Sequence, residues 1–201
     1  MTIDFFKLTP KEQAVLVQQA ANELNIADTI IEKDLWICWV LDVLFSMPLK
    51  MAFKGGTSLS KVFNAINRFS EDVDITIDYR NFQDALDLST ISGSQLKKFS
   101  ARIKAQLKET VDAQIVPYIQ QQVEETFQNQ KFSIEINNES EELHFYYPSV
   151  LTQEQGYLRE HVLIEFGMQP TLYLSVCRSF IAPLVRLIYA ESICYWTKSI
   201  N

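Results

Sequence analysis

Asp72 and Asp74 stand two residues apart at the head of Val73-Asp74-Ile75-Thr76-Ile77-Asp78, where apolar and polar residues alternate. Period-two alternation marks a β-strand, with both carboxylates on one face and Val73, Ile75 and Ile77 on the other. Two carboxylates held side by side repel each other, and a divalent cation relieves that repulsion. Mg²⁺ takes oxygen ligands, commonly one or two carboxylates completed by substrate phosphates. The pair therefore predicts a site for Mg²⁺, with a second ion accommodated in a two-metal arrangement. The plainer alternative is a solvated strand edge.

One helix-length upstream, Met51-Ala52-Phe53-Lys54 reads as a short strand that ends in Gly55-Gly56, and Thr57-Ser58 opens a helix reaching Asn67. Glycines at such a corner let a backbone approach a ligand where a Cβ would block it. The unpaired N–H groups at the helix start, together with the hydroxyls of Thr57 and Ser58, make a phosphate-binding corner. A simple turn is the competing explanation. Strand–helix–strand geometry brings this corner to the Asp72/Asp74 pair. A third acid, Glu165, lies in the apolar run His161-Val162-Leu163-Ile164-Glu165-Phe166, which predicts an inner strand of the sheet. A carboxylate there must bind metal or be paired, with Arg159 and Lys54 as candidate partners.

The elements that position these residues are legible along the chain. Thr9-Pro10-Lys11-Glu12 has the form of a capping box with proline at the first helical position. A second helix is expected over residues 28–46, apolar nearly all round and so deeply buried. A long helix over 95–127 is expected to break at Pro117. Residues 131–137, 143–147 and 161–166 read as strands, residues 89–94 and 137–142 as loops, and 171–201 as partly helical. The predicted fold class is α/β (α+β), a small mixed sheet flanked by helices.

Hydrophobic residues make up 47% of the 201-residue chain and charged residues 21%, enough to bury a real core. The net charge of −7 leaves no bulk basic surface for non-specific DNA binding, although a local basic patch would still admit RNA. Three cysteines at irregular spacing give neither a disulfide framework nor a zinc pattern, and two histidines are too few for a His-based metal cluster. No signal peptide and no membrane span are evident, which predicts a cytoplasmic protein with no membrane partner.

Three ordered motifs carry a resemblance: Glu32-Lys33-Asp34-Leu35-Trp36, then Phe53-Lys54-Gly55-Gly56-Thr57-Ser58-Leu59-Ser60-Lys61, then Arg68-Phe69-Ser70-Glu71-Asp72-Val73-Asp74. Over roughly residues 30–168 the chain resembles the AbiEii/AbiGii toxin family of nucleotidyltransferases. Tyr147-Pro148-Ser149 and Leu163-Ile164-Glu165-Phe166-Gly167 look like that family's later strands. The resemblance implies a polymerase-β-like nucleotidyltransferase core over residues 1–168. It implies nucleotide contacts from Gly55, Gly56, Thr57, Ser58 and Lys54, Mg²⁺ on Asp72 and Asp74, and Glu165 as the third catalytic acid. Glu32, Lys33 and Asp34 would pack and orient the site. The chain departs from the family in residues 169–201, a shortened or atypical C-terminal segment. There Glu191-Ser192-Ile193-Cys194-Tyr195-Trp196-Thr197-Lys198 only faintly echoes the family's Arg-Thr-Phe-Trp-Glu-Lys pattern.

The expected activity is Mg²⁺-dependent transfer of a nucleoside monophosphate from an NTP to an RNA or protein acceptor. By resemblance, the protein would be the toxin of a toxin–antitoxin or phage-defence pair, with an antitoxin protein as partner. Two other readings stay open: a truncated, non-catalytic remnant that binds a nucleotide or a partner, and a small-molecule adenylyltransferase.

Overall fold

The computed structural model of the chain describes residues 5–54, 72–82, 92–127, 131–137, 141–151 and 161–169. The glycine corner 55–58 and the expected helix after it lie outside the described residues, as does the segment after Gln169.

After a helical turn at Phe5–Lys7, helix α1 spans Pro10–Leu24 and α2 spans Asp28–Ser46. The capping box read from the sequence is present: the Thr9 side chain accepts from the Glu12 N–H, and the Glu12 carboxylate accepts from the Thr9 N–H at 2.9 Å. Strands β1 (Met51–Lys54) and β2 (Asp72–Asp78) follow. Next come α3 (Gly93–Thr110), a π-helical turn at Val111–Ile115, and α4 (Val116–Thr126). Strands β3 (Ser133–Asn137), β4 (Glu142–Tyr146) and β5 (His161–Gln169) complete the described chain.

Pro117 does not break the long helix, as the sequence suggested it would. In a regular α-helix its ring would strike the carbonyl four residues back. The chain instead widens into the π turn just before it and continues. Glu142 likewise belongs to β4, not to the loop expected over 137–142.

The five strands form one mixed sheet in the order β1-β2-β5-β4-β3. Only the β2–β5 pair is parallel. One face is apolar. Val73, Ile75 and Ile77 of β2, Leu143 and Phe145 of β4, and Val162, Ile164 and Phe166 of β5 join a single core with α2 and with Leu107, Val111, Ile115 and Ile119. As its all-round apolar sequence requires, α2 is buried along nearly its whole length. Trp36 is its hub, stacking on Tyr147 at 5.2 Å and packing against Phe6, Trp39 and Phe127. Among the described residues, the helices contribute their apolar side chains to that face, and Asp72, Asp74 and Glu165 lie on the other.

Candidate active site

Strand β5 is the central strand, so Glu165 does lie inside the sheet. Its side chain nevertheless points to the polar face and is exposed, not buried as the apolar run suggested. An exposed carboxylate needs no obligatory ion partner, and no ion pair joins Glu165 to Lys54. The other candidate partner, Arg159, lies outside the described residues.

Backbone register assembles the site. Asp74 stands opposite Lys54 on one side and Glu165 on the other, and Glu165 stands opposite Glu142. One rung of the sheet therefore reads Lys54–Asp74–Glu165–Glu142, with neighbouring strands about 4.8 Å apart. Asp72 flanks this rung on the same face by the period-two rule. Asp72 is exposed and Asp74 half-buried. Further along β2 the polar face closes: Thr76 is 2% exposed and Asp78 is fully buried. Asp78 is held by Arg80, whose guanidinium Nε donates to both of its carboxylate oxygens at 2.9 Å. The charge available to a ligand is thus concentrated at the Asp72/Asp74 end of the strand.

Partial desolvation against the sheet, followed by the negative charges of Asp74, Asp72 and Glu142, pushes the Glu165 carboxyl above its ordinary value. Lys54 brings the opposite charge. Its ammonium reaches across β2 to lie 4.0 Å from where a Cβ on Gly167 would stand.

The donors gathered here are hard oxygens with surplus negative charge, which fits Mg²⁺ and disfavours the softer metals that select thiolate or imidazole. Asp72 and Asp74 are the residues that could hold such an ion, with Glu165 opposite Asp74. Among the described residues, no group of three or more His, Cys, Asp or Glu forms a metal cage by itself. An ion shared with substrate phosphates does not require one.

Several neighbours were not singled out from the sequence. Glu142 completes the rung. His144 and His161, the chain's two histidines, meet on the same face with ring nitrogens 2.9 Å apart, and the Tyr146 ring lies 4.9 Å from His161. The alternation Glu142-Leu143-His144-Phe145-Tyr146 was the signal that could have placed them. Glu32 is buried at the start of α2, where its carboxylate accepts from the Ser149 hydroxyl and the Val150 N–H, each at 2.7 Å. It anchors the segment that leaves β4, an orienting role in keeping with the sequence expectation.

A mixed sheet that sets a DxD strand beside a further acid, with helices packed on its apolar face, is consistent with a nucleotidyltransferase fold. The family model for the "Nucleotidyl transferase AbiEii toxin, Type IV TA system" matches residues 43–192. The chain belongs to this family of nucleotidyltransferase toxins of type IV toxin–antitoxin systems. The matched range takes in β1, β2 and β5 and extends past residue 168, the limit of the resemblance read from the sequence. It begins after Glu32-Lys33-Asp34-Leu35-Trp36. No curated protein and no solved structure matches the chain.

Proposed function

We propose that the chain transfers a nucleoside monophosphate from an NTP to an acceptor hydroxyl, with Mg²⁺ held at Asp72 and Asp74. The observation that carries this reading is the register of Asp74 opposite Glu165, with Asp72 on the same face. Bound there, Mg²⁺ would supply Lewis-acid polarisation of phosphate oxygens. Lys54, beside Asp74 in the sheet, offers its ammonium to the phosphates. Gly55, Gly56, Thr57 and Ser58 cradle the triphosphate through backbone N–H groups and hydroxyls.

The acceptor oxygen attacks the α-phosphorus, and the bond from that phosphorus to the bridging oxygen of the β-phosphate breaks. Pyrophosphate leaves with the electron pair, and the acceptor proton passes to Glu165. A carboxylate whose proton affinity is raised is the better base for that step. The acceptor is an RNA end or a protein hydroxyl. The remaining parts of the proposal are an antitoxin partner, a role in phage defence, cytoplasmic action, and a core over residues 1–168 followed by the 169–201 segment.

The test is transfer of label from each α-phosphate-labelled NTP, with Mg²⁺, to total RNA and to protein. Wild type should label one pool, and Asp74→Asn should lose about 100-fold or more, the scale set by removing a positioned electrostatic group. Equal labelling by Asp74→Asn contradicts the proposal. A folded chain that binds NTP and labels neither pool is the non-catalytic remnant.

A further inference from the structure

Strand pairing brings the chain's two histidines together. On β4, His144 shares a face with Glu142 and Tyr146, and on β5, His161 shares that face with Glu165. Tyr146 is the register partner of His161, so His144 meets His161 on the diagonal. Their contact is direct, His144 Nδ1 lying 2.9 Å from His161 Nε2. Two facing ring nitrogens at that distance share one proton or one metal ion.

The surroundings suit a cation. On this face of β3, β4 and β5 the charged neighbours are Glu135, which stands opposite His144, together with Glu142 and Glu165. Glu135 already accepts from the Tyr146 hydroxyl at 3.2 Å. Glu142 Oε2 lies 3.6 Å from His144 Nε2, the ring nitrogen turned away from the pair. A neutral histidine that binds a metal through Nδ1 carries its proton on Nε2, and a carboxylate facing that proton fixes the tautomer and makes the ring a stronger ligand. Glu142 stands in that outer position.

The ring geometry selects the ion. Imidazole suits late first-row dications, whereas Mg²⁺ takes oxygen. Two metal–nitrogen bonds of about 2.0–2.1 Å meeting at a right angle place their nitrogens about 2.9 Å apart, and a tetrahedral angle needs about 3.3 Å. The observed spacing matches the right angle, which suits Ni²⁺ and Cu²⁺, the tighter binders of the divalent series. Among the described residues no third His, Cys, Asp or Glu completes a cage. The site is therefore an open one, with water in the remaining positions. The His144 side chain is 20% exposed, which gives an ion access, while His161 is buried and packed against the Tyr146 ring.

We propose that His144 and His161 form a binding site for a late transition-metal dication of the Ni²⁺ and Cu²⁺ type, separate from the Asp72/Asp74 pair, with Glu142 orienting His144. The site stands on the geometry of the two rings and does not rest on the transferase reading.

The test is calorimetric titration of Ni²⁺ into the untagged chain, with Mg²⁺ in excess to occupy oxygen sites. Wild type should bind one Ni²⁺. His144→Gln and His161→Gln should each bind at least tenfold more weakly, and Asp72→Asn/Asp74→Asn should bind as wild type does, with circular dichroism checking each fold. Wild-type affinity should fall at least tenfold from about pH 7.5 to about pH 5.5, because the ion needs both rings unprotonated and an ordinary imidazole titrates near 6.5. A second reading uses wild type alone and so stands even where a variant fails to fold. His144 and His161 are the chain's only histidines, so one equivalent of paramagnetic Ni²⁺ should broaden the NMR ring-proton signals of both together. Undiminished binding by folded His144→Gln and His161→Gln overturns the proposal. So does no binding by wild type, loss of binding in folded Asp72→Asn/Asp74→Asn, or broadening of one ring without the other.

Discussion

Glu165 ties the geometry of the site to a measurable pH dependence. Its carboxyl is raised by desolvation and by Asp74, Asp72 and Glu142, so ionising it costs more in the folded chain than in the unfolded one. Above the folded-state pKa the group is charged in both states, and the whole penalty acts against folding. Below the ordinary carboxylate value it is neutral in both states, and the penalty vanishes. Glu165→Gln should therefore melt at a higher temperature than wild type at about pH 8, and the gap should shrink as the pH falls toward about 5. Calorimetric melting without divalent cations reads this directly, and a gap that does not change with pH would remove the carboxylate repulsion from the site. Asp72 and Asp74 were legible as residues sharing one face of a strand because residue type and period-two spacing are local properties. Glu142 was not, because its membership of the rung depends on a pairing with β5 that local spacing does not encode. The burial of Glu165 was misjudged for a related reason: an apolar run reports a central strand, but each residue's face is set by which side the helices cover.

Helices α1 and α2 behave as their sequences require, and each offers a separable prediction. Thr9→Ala removes the acceptor that caps α1 and should cost about 1 kcal/mol by chemical denaturation, with little effect on nucleotide binding. Trp36→Ala takes away the aromatic ring at the centre of the core and should cost about 3–5 kcal/mol. A loss under about 1 kcal/mol would mean that Trp36 is not the hub its stacking indicates. Glu32→Ala removes a carboxylate that accepts from the exposed Ser149 and the half-buried Val150, and should cost about 1–3 kcal/mol, the scale of hydrogen bonds to a charged group. Helix boundaries were readable from caps and prolines. The π turn was not, because whether a proline breaks a helix or is absorbed depends on the packing that holds both sides. Here Val111, Ile115 and Ile119 are all anchored in the core.

Across the whole molecule, a sheet covered by helices on its apolar face presents its acids and both histidines on the other. The sequence disclosed the fold class through its alternating and helical periods, and the motif order disclosed the family. Strand order and the meeting of His144 with His161 became visible only once the strands were paired. No helix among the described residues is long and apolar enough to cross a membrane. The central claim is that Asp72 and Asp74 hold Mg²⁺ together with an NTP. It is tested most directly by calorimetric titration of each NTP, with and without Mg²⁺, into wild type and Asp72→Asn/Asp74→Asn. Binding of at least one NTP that requires Mg²⁺ and disappears in the folded double variant is the expected result. Binding that survives the double substitution, or no binding by a folded wild type, would contradict it.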